Sequence, residues 1–308
     1  MSDVKAGDVK ALRDRTGAGM MDCKKALVEC NSNIEDSIDW LRKNGLAAAA
    51  KKAGRVATEG LVGINIEGRH GAIVEINAET DFVARNELFQ KYVETVAKIA
   101  CQNHECDMEK LGALPYPETG RNVSEELTNL IAIIGENMGI RRVAYARVTE
   151  GVVASYIHNK IAPNLGRIGI FVELESSGNR DKLLDLGKRI AMHIAAANPQ
   201  STSIDDLDQA LLKRERDVVT EQAKKTGKPA EFVNKIVEGR IRKFYEEVVL
   251  LEQVFVVDGT SKVKDVVAKA EEEIGCPIVL KRFVKFVLGE GIEKQMVDFA
   301  AEVTAQLA

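Results

Sequence analysis

The stretch that decides the fold class reads EGLVGINIEGRHGAIVEINA and runs from Glu59 to Ala78. Its apolar residues alternate with a period near two, whereas the apolar residues before it recur at the helical spacing of about 3.6. The centre of the stretch, Glu67 to Gly71, has the glycines and polar residues of a hairpin turn. The pattern therefore predicts two antiparallel strands, over 61–66 and 72–77, in a chain that begins with helices.

Upstream of this hairpin, residues 1–56 predict three short helices followed by a linking helix over 46–55. Asp8 is suited to N-cap the first helix, and Asn33 the third. Gly45 stands where the C′ glycine of the third helix is expected. Three helices of this length enclose only a small core, which is typical of a binding module rather than an enzyme.

Downstream, the order strand, strand, helices, strand occurs twice, in residues 57–148 and 149–288. After its hairpin, the first copy contains predicted helices over 86–102 and 124–137 and a closing strand over 142–148. Ser124 is the expected N-cap of the second helix, and a proline-containing loop is predicted over 112–120. The second copy comprises strands over 152–157, 168–174 and 278–288 and helices over 180–197, 205–225, 230–246 and 262–274. Because strictly alternating strands and helices are absent, the sequence predicts two similar antiparallel α+β subdomains.

Two further helical segments are predicted outside that repeat. The helices of 205–246 carry many charges and few large apolar residues, which indicates a projecting hairpin that is either solvated or paired with a partner. Residues 289–308 predict a C-terminal helix with an apolar stripe from Ile292 to Leu307.

Composition excludes several classes of function. The 308 residues carry a formal charge of −4, and only 5% are aromatic, so no direct nucleic-acid contact is predicted. No apolar run is long enough to cross a bilayer, and the acidic start of the chain resembles no secretory signal, so cytoplasmic localisation is predicted. The five cysteines form no Cys-x-x-Cys pair, which argues against a disulfide framework.

No motif of covalent chemistry is recognisable. The sequence has no phosphate-binding loop, no Gly-x-Gly-x-x-Gly between a strand and a helix, no Gly-x-Ser-x-Gly and no His-Glu-x-x-His. Cys101, His104 and Cys106 lack a fourth ligand at a recognisable spacing, and we interpret them as the frayed end of a helix. We therefore predict no enzyme, no catalytic residue, no bound metal and no cofactor.

Two of the four histidines allow an interpretation. His193 lies within an apolar helix and is predicted to be a hydrogen-bonded core residue rather than a ligand. His158 ends a predicted strand at a loop, where an exposed binding role and a purely structural one are both open.

One motif of unusual local chemistry runs from Asn77 to Asn86. Thr80 or Asp81 is placed to N-cap a helical turn, with Phe82 and Val83 at the tip of a strand-to-helix corner. Two interpretations are open: the ring enters a partner while the neighbouring carboxylate meets a donor there, or the ring packs into its own core.

A second motif runs from Arg13 to Lys25. Met20 and Met21 follow a glycine turn and cannot both face one small core, so one is expected on the surface near Lys24. An exposed methionine beside basic residues suits a protein-binding surface. The alternative is an ordinary helix N-terminus in which Asp22 favours the helix dipole.

These residues carry a resemblance that extends over essentially the whole chain. Five segments occur in the same order as in the bacterial elongation factor Ts family: residues 13–27, 79–85 and 134–143, His193 in its alanine-rich setting, and residues 236–244. The resemblance implies a guanine nucleotide exchange factor for the GTPase elongation factor Tu. It implies that the chain binds this GTPase in both its GDP-bound and its nucleotide-free states. It also implies a ubiquitin-associated-like N-terminal domain, a core of two α+β subdomains, a helical-hairpin dimerisation element and a C-terminal module. A homodimer and a two-plus-two assembly both stay open.

The resemblance further implies roles for particular residues. Asp81 and Phe82, flanked by Thr80 and Val83, would push into the GTPase near its nucleotide and magnesium site. The N-terminal contact would use Arg13, Met20, Met21 and Lys24, and the core contact Ile134, Gly135 and His158. The segment from His158 to Gly169 is longer here than the family's turn. A non-enzymatic helical adaptor, and an enzyme with an unrecognised site, are the alternatives.

Overall fold

The computed structural model describes residues 4–225 and 229–293, and it confirms the α+β class: helices mix with strands in an antiparallel sheet. The N-terminal elements are α1 (Ala6–Thr16), α2 (Met20–Glu29) and α3 (Ile34–Lys52). The first unit follows with β1 (Glu59–Glu67), β2 (His70–Ala78), α4 (Glu87–Gln102), α5 (Met108–Ala113), α6 (Val123–Ile134) and β3 (Met138–Arg147). The second unit contains β4 (Gly151–Ala162), β5 (Leu165–Glu175), α7 (Arg180–Ala197), α8 (Gln209–Lys224), α9 (Ala230–Val248), α10 (Val263–Ile274) and β6 (Val279–Val287).

The strands of the described residues form one six-stranded sheet built from two three-stranded parts. Its order is β3-β2-β1-β5-β4, and β6 also pairs with β5. Each unit thus places its second strand in the centre, with an antiparallel hairpin partner on one side and an antiparallel third strand on the other. A short pairing of β1 with the start of β5, at Val62 and Gly63, joins the two parts.

The two units repeat each other in detail. The pairing of second and third strands shifts register after Glu75 in one unit and after Glu173 in the other. Gly60 and Gly151, at the starts of β1 and β4, have φ of 122° and 121°. A Cβ atom there would lie 2.2 and 2.1 Å from a backbone oxygen of the neighbouring strand, so only glycine fits at either position.

The strand alternation sends side chains to two different cores. Val74 and Ile76 of β2 face α4 and α6, and Ile170 and Val172 of β5 face α7 and α10. The opposite faces of the two sheet halves meet in a third cluster: Val62, Ile64, Ile73, Ala146, Val148, Val153, Phe171, Phe286 and Leu288. Both faces of the sheet are therefore buried, which explains why its strands are largely apolar.

Two buried carboxylates lie on the strands that form this interface. Glu75 pairs with Arg141 and Arg142, and Glu173 pairs with Arg282. Arg142 also donates to the Val287 carbonyl of the second unit, while Arg282 donates to the Tyr145 carbonyl of the first. Each arginine is thus held by a buried carboxylate of its own unit, and the hydrogen bonds of the two arginines to backbone carbonyls join the two units reciprocally.

The predicted helical hairpin is present as α8 and α9, which pack on each other. Val219 and Ala223 of α8 and Val233, Val237 and Ile241 of α9 form its apolar seam. Phe232 on α9 is 55% exposed. The hairpin is inserted after α7, and the first unit has no counterpart to it at that place in the element order.

Several N-terminal boundaries differ from the sequence prediction. Helix α3 continues through Gly45 to Lys52, so the predicted C′ glycine and separate linking helix are wrong. Gly45 is buried where α3 meets α6, and a Cβ atom there would lie only 3.3 Å from the Ala132 side chain. The glycine therefore serves close helix packing. Asp8 lies in the first turn of α1 and is not its N-cap.

Other local predictions also change. Asn122, not Ser124, caps α6, because the Asn122 side chain and Glu125 form a capping box. Strands β4 and β5 extend to Ala162 and Leu165, so the predicted loop after His158 is mostly strand. The predicted C-terminal helix falls largely outside the described residues, and the domain limits 1–56, 57–148, 149–288 and 289–308 stay predictions. Among the described residues, no helix is both long and apolar enough to cross a membrane.

His193 is fully buried and hydrogen-bonded, as predicted. The Val256 backbone N–H donates to Nδ1 at 3.2 Å, so the proton resides on Nε2, which donates to Gln253 Oε1 at 2.9 Å. Gln253 in turn donates to the Glu247 carbonyl at 2.7 Å. Burial lowers the pKa of His193, which keeps the ring neutral.

This environment predicts a dependence of stability on pH. The folded pKa of His193 is lowered, so the stability it contributes is present above the unfolded pKa of about 6.5 and is lost as the pH falls through the folded pKa. Between about pH 7.5 and 5.5, the protein should lose up to about 1.4 kcal/mol of unfolding free energy through this residue. Urea unfolding of the protein and of His193→Gln at both pH values measures the difference. An equal loss in the variant would contradict this assignment.

Candidate protein-binding surface

A sharp corner joins β2 to α4. The strand ends at Ala78, a single 3-10 turn covers Val83–Arg85, and α4 begins at Glu87. Asn86 caps that helix by accepting hydrogen bonds from the backbone N–H groups of Leu88 and Phe89. The polypeptide therefore reverses direction within eight residues at a defined place.

Phe82 projects from this corner into solvent. It is 78% exposed, and Asp81 beside it is exposed as well. The interpretation in which Phe82 packs into its own core is therefore wrong. Val83 and Ala84, by contrast, are buried in the core under α4, so Val83 anchors the corner and offers no surface to a partner.

Two acidic side chains hold the corner from its other side. Thr80 donates its backbone N–H and its hydroxyl to the carboxylate of Glu136, at 2.9 and 2.6 Å. Glu79 accepts from the backbone N–H of Asn137 at 2.5 Å and pairs with Arg55 at 3.3 Å. The predicted N-cap at Thr80 or Asp81 is wrong, since no side chain caps the turn that follows.

The same bonds bring Ile134 and Gly135 next to the corner. Helix α6 ends at Ile134, and Gly135 adopts a left-handed conformation with φ 89° before Glu136. Ile134 is half-buried and packs against the first core cluster, whereas Gly135 is exposed. The predicted core contact segment and the predicted wedge therefore belong to one continuous surface.

The N-terminal motif is also on the surface. Met20 is 56% and Met21 74% exposed at the start of α2, so both methionines are outside the small core, where the sequence required only one. Arg13 and Lys24 are exposed on α1 and α2. Five residues, Val9, Leu12, Cys23, Ala26 and Leu27, form the buried core of this module.

Helix α6 connects this module to the corner. Arg42 of α3 pairs with Glu125 of α6 at 2.5 Å, and the backbones approach closely at Gly45 and Ala132. The C-terminal end of the same helix leads directly into Glu136. Residues 20–21 and 80–82 are thus held on one framework.

His158 occupies a different place. It lies within β4, opposite Ile168 of β5, and is exposed. Its described hydrogen bond is with the Tyr156 hydroxyl, at 3.1 Å from Nδ1, and none of the described bonds joins it to the corner. The sequence placed it at the end of a strand, whereas the strand continues for four more residues.

The metal-ligating residue types form no cluster in the part of the chain that the structure describes. Among the described residues, no group of three or more His, Cys, Asp or Glu side chains is placed to hold a metal ion. Cys101 is buried, and burial raises the pKa of its thiol, while His104 stacks on His70 with ring centres 4.6 Å apart. An exposed ring and carboxylate on a fixed base are suited to insertion into another protein.

Sequence reasoning missed Glu79 and Glu136 as supporting residues. Neither has a local pattern that distinguishes it, because each acts on a segment more than 50 positions away in the chain. For Glu136, the available signal was its position directly after Gly135, the glycine that ends α6. That signal does not identify its partner.

Comparisons with known proteins show which family the chain resembles. Residues 79–290 match the family model described as elongation factor TS. The chain is 59% identical to elongation factor Ts of Rhodospirillum centenum over 305 residues, with 99% of each chain covered. It is 57% identical to that of Paramagnetospirillum magneticum, covering 99% of this chain and 98% of the relative. It is 56% identical to that of Rhodospirillum rubrum, covering 100% of this chain and 99% of the relative.

Proposed function

The chain belongs to the elongation factor Ts family, and from this membership we propose that it is a guanine nucleotide exchange factor for elongation factor Tu. The observation that carries the proposal is Phe82, an aromatic side chain held in solvent on a braced corner. Aromatic side chains are enriched in protein–protein interfaces, so an exposed ring that the rest of the chain holds in place is suited to burial in a complex.

The proposed mechanism is one of competing equilibria. A bound GDP is held by the phosphate-binding loop of a GTPase and bridged by Mg²⁺. If this chain favours the nucleotide-free arrangement, it weakens GDP binding by the same factor by which GDP weakens the complex. GDP and Mg²⁺ then leave, GTP binds, and the factor is released.

Within that scheme each part of the corner has a distinct task. The Phe82 ring would displace side chains near the magnesium and nucleotide site, and the Asp81 carboxylate would accept hydrogen bonds from donors uncovered there. Arg13, Met20, Met21 and Lys24 would form a separate contact that raises affinity. Ile134 and Gly135 would extend the contact around the corner, and His158 would contact the GTPase from the second unit.

No covalent bond forms or breaks on this chain in the proposed cycle, so we propose that it is not an enzyme. A cytoplasmic location, a homodimer and a two-plus-two assembly with the GTPase stay predictions. Dimerisation would use the α8–α9 hairpin, according to the family resemblance.

The reciprocal equilibrium gives a test of the function. Saturation with this chain should lower the affinity of elongation factor Tu for a labelled GDP, and saturating GDP should lower its affinity for this chain by the same factor. Equilibrium titrations in both directions measure the two factors. An unchanged GDP affinity at saturation would contradict the proposed exchange function.

The adaptor alternative predicts a different outcome. An adaptor would bind several proteins through its helical module and hairpin, without an effect on nucleotide affinity. Capture from a lysate separates the two: one dominant GTPase supports exchange, whereas a mixed set of proteins without it supports the adaptor.

A further inference from the structure

We infer that Glu136 is a positioning residue for exchange, and that Thr80 is its attachment point on the corner rather than a contact for the partner. The inference rests on the proposed function, because it concerns how Phe82 is presented. It reassigns one residue of the predicted partner-binding surface and adds another that the sequence did not indicate.

The first step is the geometry of the bond pair. Glu136 accepts from Thr80 twice, from the backbone N–H at 2.9 Å and from the hydroxyl at 2.6 Å, using a different carboxylate oxygen for each. Two bonds to one carboxylate fix orientation as well as distance, and bonds to a charged acceptor are stronger than neutral ones. The Thr80 hydroxyl is thereby engaged within the chain.

The second step is that two segments, residues 79–80 and residues 136–137, bind each other reciprocally. We call this pair of contacts the clasp. The segment 79–80 and the segment 136–137 each contribute one carboxylate that accepts a backbone N–H of the other: Glu136 from Thr80, and Glu79 from Asn137. The Asn137 side chain donates in addition to the Arg55 carbonyl at 2.7 Å. Loss of the bonds between Glu136 and Thr80 therefore also weakens the bond between Glu79 and Asn137, because both depend on the same placement of the two segments.

The third step is the distance along the chain to the ring. Phe82 follows Thr80 by two residues, and the Arg85 N–H donates to the Phe82 carbonyl at 3.1 Å on the far side. The exposed ring is thus held between the clasp and the turn that leads into α4. Without the clasp, residues 79–82 would sample more backbone states, and insertion would cost additional ordering entropy.

A purely structural role makes a different prediction, which a matched control isolates. Glu126 lies on α6 and accepts from Arg121 Nε at 2.5 Å, away from the corner. Glu126→Gln likewise removes a carboxylate that accepts a hydrogen bond from within the chain, although its donor is the charged Arg121 rather than a neutral threonine. If Glu136 mattered only through the stability of α6 and its surroundings, both variants would affect exchange alike.

The test measures the rate of labelled-GDP release from elongation factor Tu with full-length variants. Glu136→Gln keeps the size of the side chain but leaves one acceptor where two are used, and it should slow stimulated release about fivefold, a barrier change of about 1 kcal/mol. Glu126→Gln should leave the rate unchanged. Thr80→Val, which removes the hydroxyl donor, should give a similar slowing and add little to Glu136→Gln.

A double-mutant cycle with Phe82→Ala decides the mechanism. If Glu136 acts through Phe82, Glu136→Gln should have almost no further effect once the ring is absent. If Phe82→Ala alone slows release, two results would overturn the inference. One is that Glu136→Gln slows release equally with and without the Phe82 ring, and the other is that it slows release in neither case. No effect of Phe82→Ala itself would overturn the wedge function and the inference together.

Discussion

Replacing Phe82 with alanine should slow stimulated GDP release at least about tenfold, which corresponds to about 1.4 kcal/mol of barrier. The ring is 78% exposed and makes little contribution to the chain's own core, so its removal changes the surface and not the fold. The backbone of the corner stays in place, because Val83 and Ala84 remain buried and Thr80 remains bonded to Glu136. Stopped-flow release of a fluorescent GDP analogue measures the effect.

Two controls make the Phe82→Ala result specific. The circular dichroism spectrum and the unfolding midpoint should match those of the unmodified chain, since an exposed side chain is lost. Val279→Ala removes an apolar side chain of 56% exposure from β6 in the second unit and should leave the release rate unchanged. A Phe82→Ala variant with the full release rate would refute the assignment of this ring as the wedge.

The largest effect on stability is expected at Glu75. Its carboxylate is fully buried and accepts from Arg141 at 3.1 Å, Arg142 Nε at 2.5 Å and the Gly289 N–H at 2.8 Å. A neutral amide in its place would leave two guanidinium groups without their buried counter-charge. We expect Glu75→Gln to lower the free energy of unfolding by about 3 kcal/mol.

The equivalent residue of the other unit provides a matched comparison. Glu173 is also buried, but its described ion pair is with Arg282 alone, whose side chain is 51% exposed and can turn to water. Burial raises the pKa of Glu173, which means that keeping it ionised already costs free energy. Glu173→Gln should therefore cost less, about 1 kcal/mol. Urea unfolding at neutral pH followed by circular dichroism compares the two, and equal losses would contradict the account.

The sequence predicts the helices and strands far better than the contacts that their residues make with distant parts of the chain. The spacing of apolar residues over 59–78 together with Gly68 predicts the first hairpin, because strand-forming residues flank a glycine-containing turn there. The doubled order of elements predicts the two antiparallel units for the same reason. Gly45 misleads, because an isolated glycine carries the same local signal whether it ends a helix or permits close packing on another.

Charges inside the strands are a second place where local pattern fails. Glu75 and Glu173 interrupt apolar strands, and only the pairing of β2 with β3 and of β5 with β6 brings arginines opposite them. Such partners are 66 or more positions apart in the chain. No periodicity within a strand encodes that contact.

The candidate site shows the same division. The sequence identifies Phe82 as exceptional but leaves open whether its ring is buried, because a strand-to-helix corner can turn either way. The outcome depends on Val83 and Ala84 occupying the core beneath it and on the distant Glu136. Met20 and Met21 are easier to predict, since a module with five buried core residues has no room for both.

The most direct test of nucleotide exchange is the rate at which elongation factor Tu loses a fluorescent GDP analogue in the presence of excess unlabelled nucleotide. We predict that this chain, at a concentration below that of the GTPase, accelerates the loss and does so for many GTPase molecules per molecule of chain. A release rate equal to that of elongation factor Tu alone, at every concentration of the chain, would contradict the account.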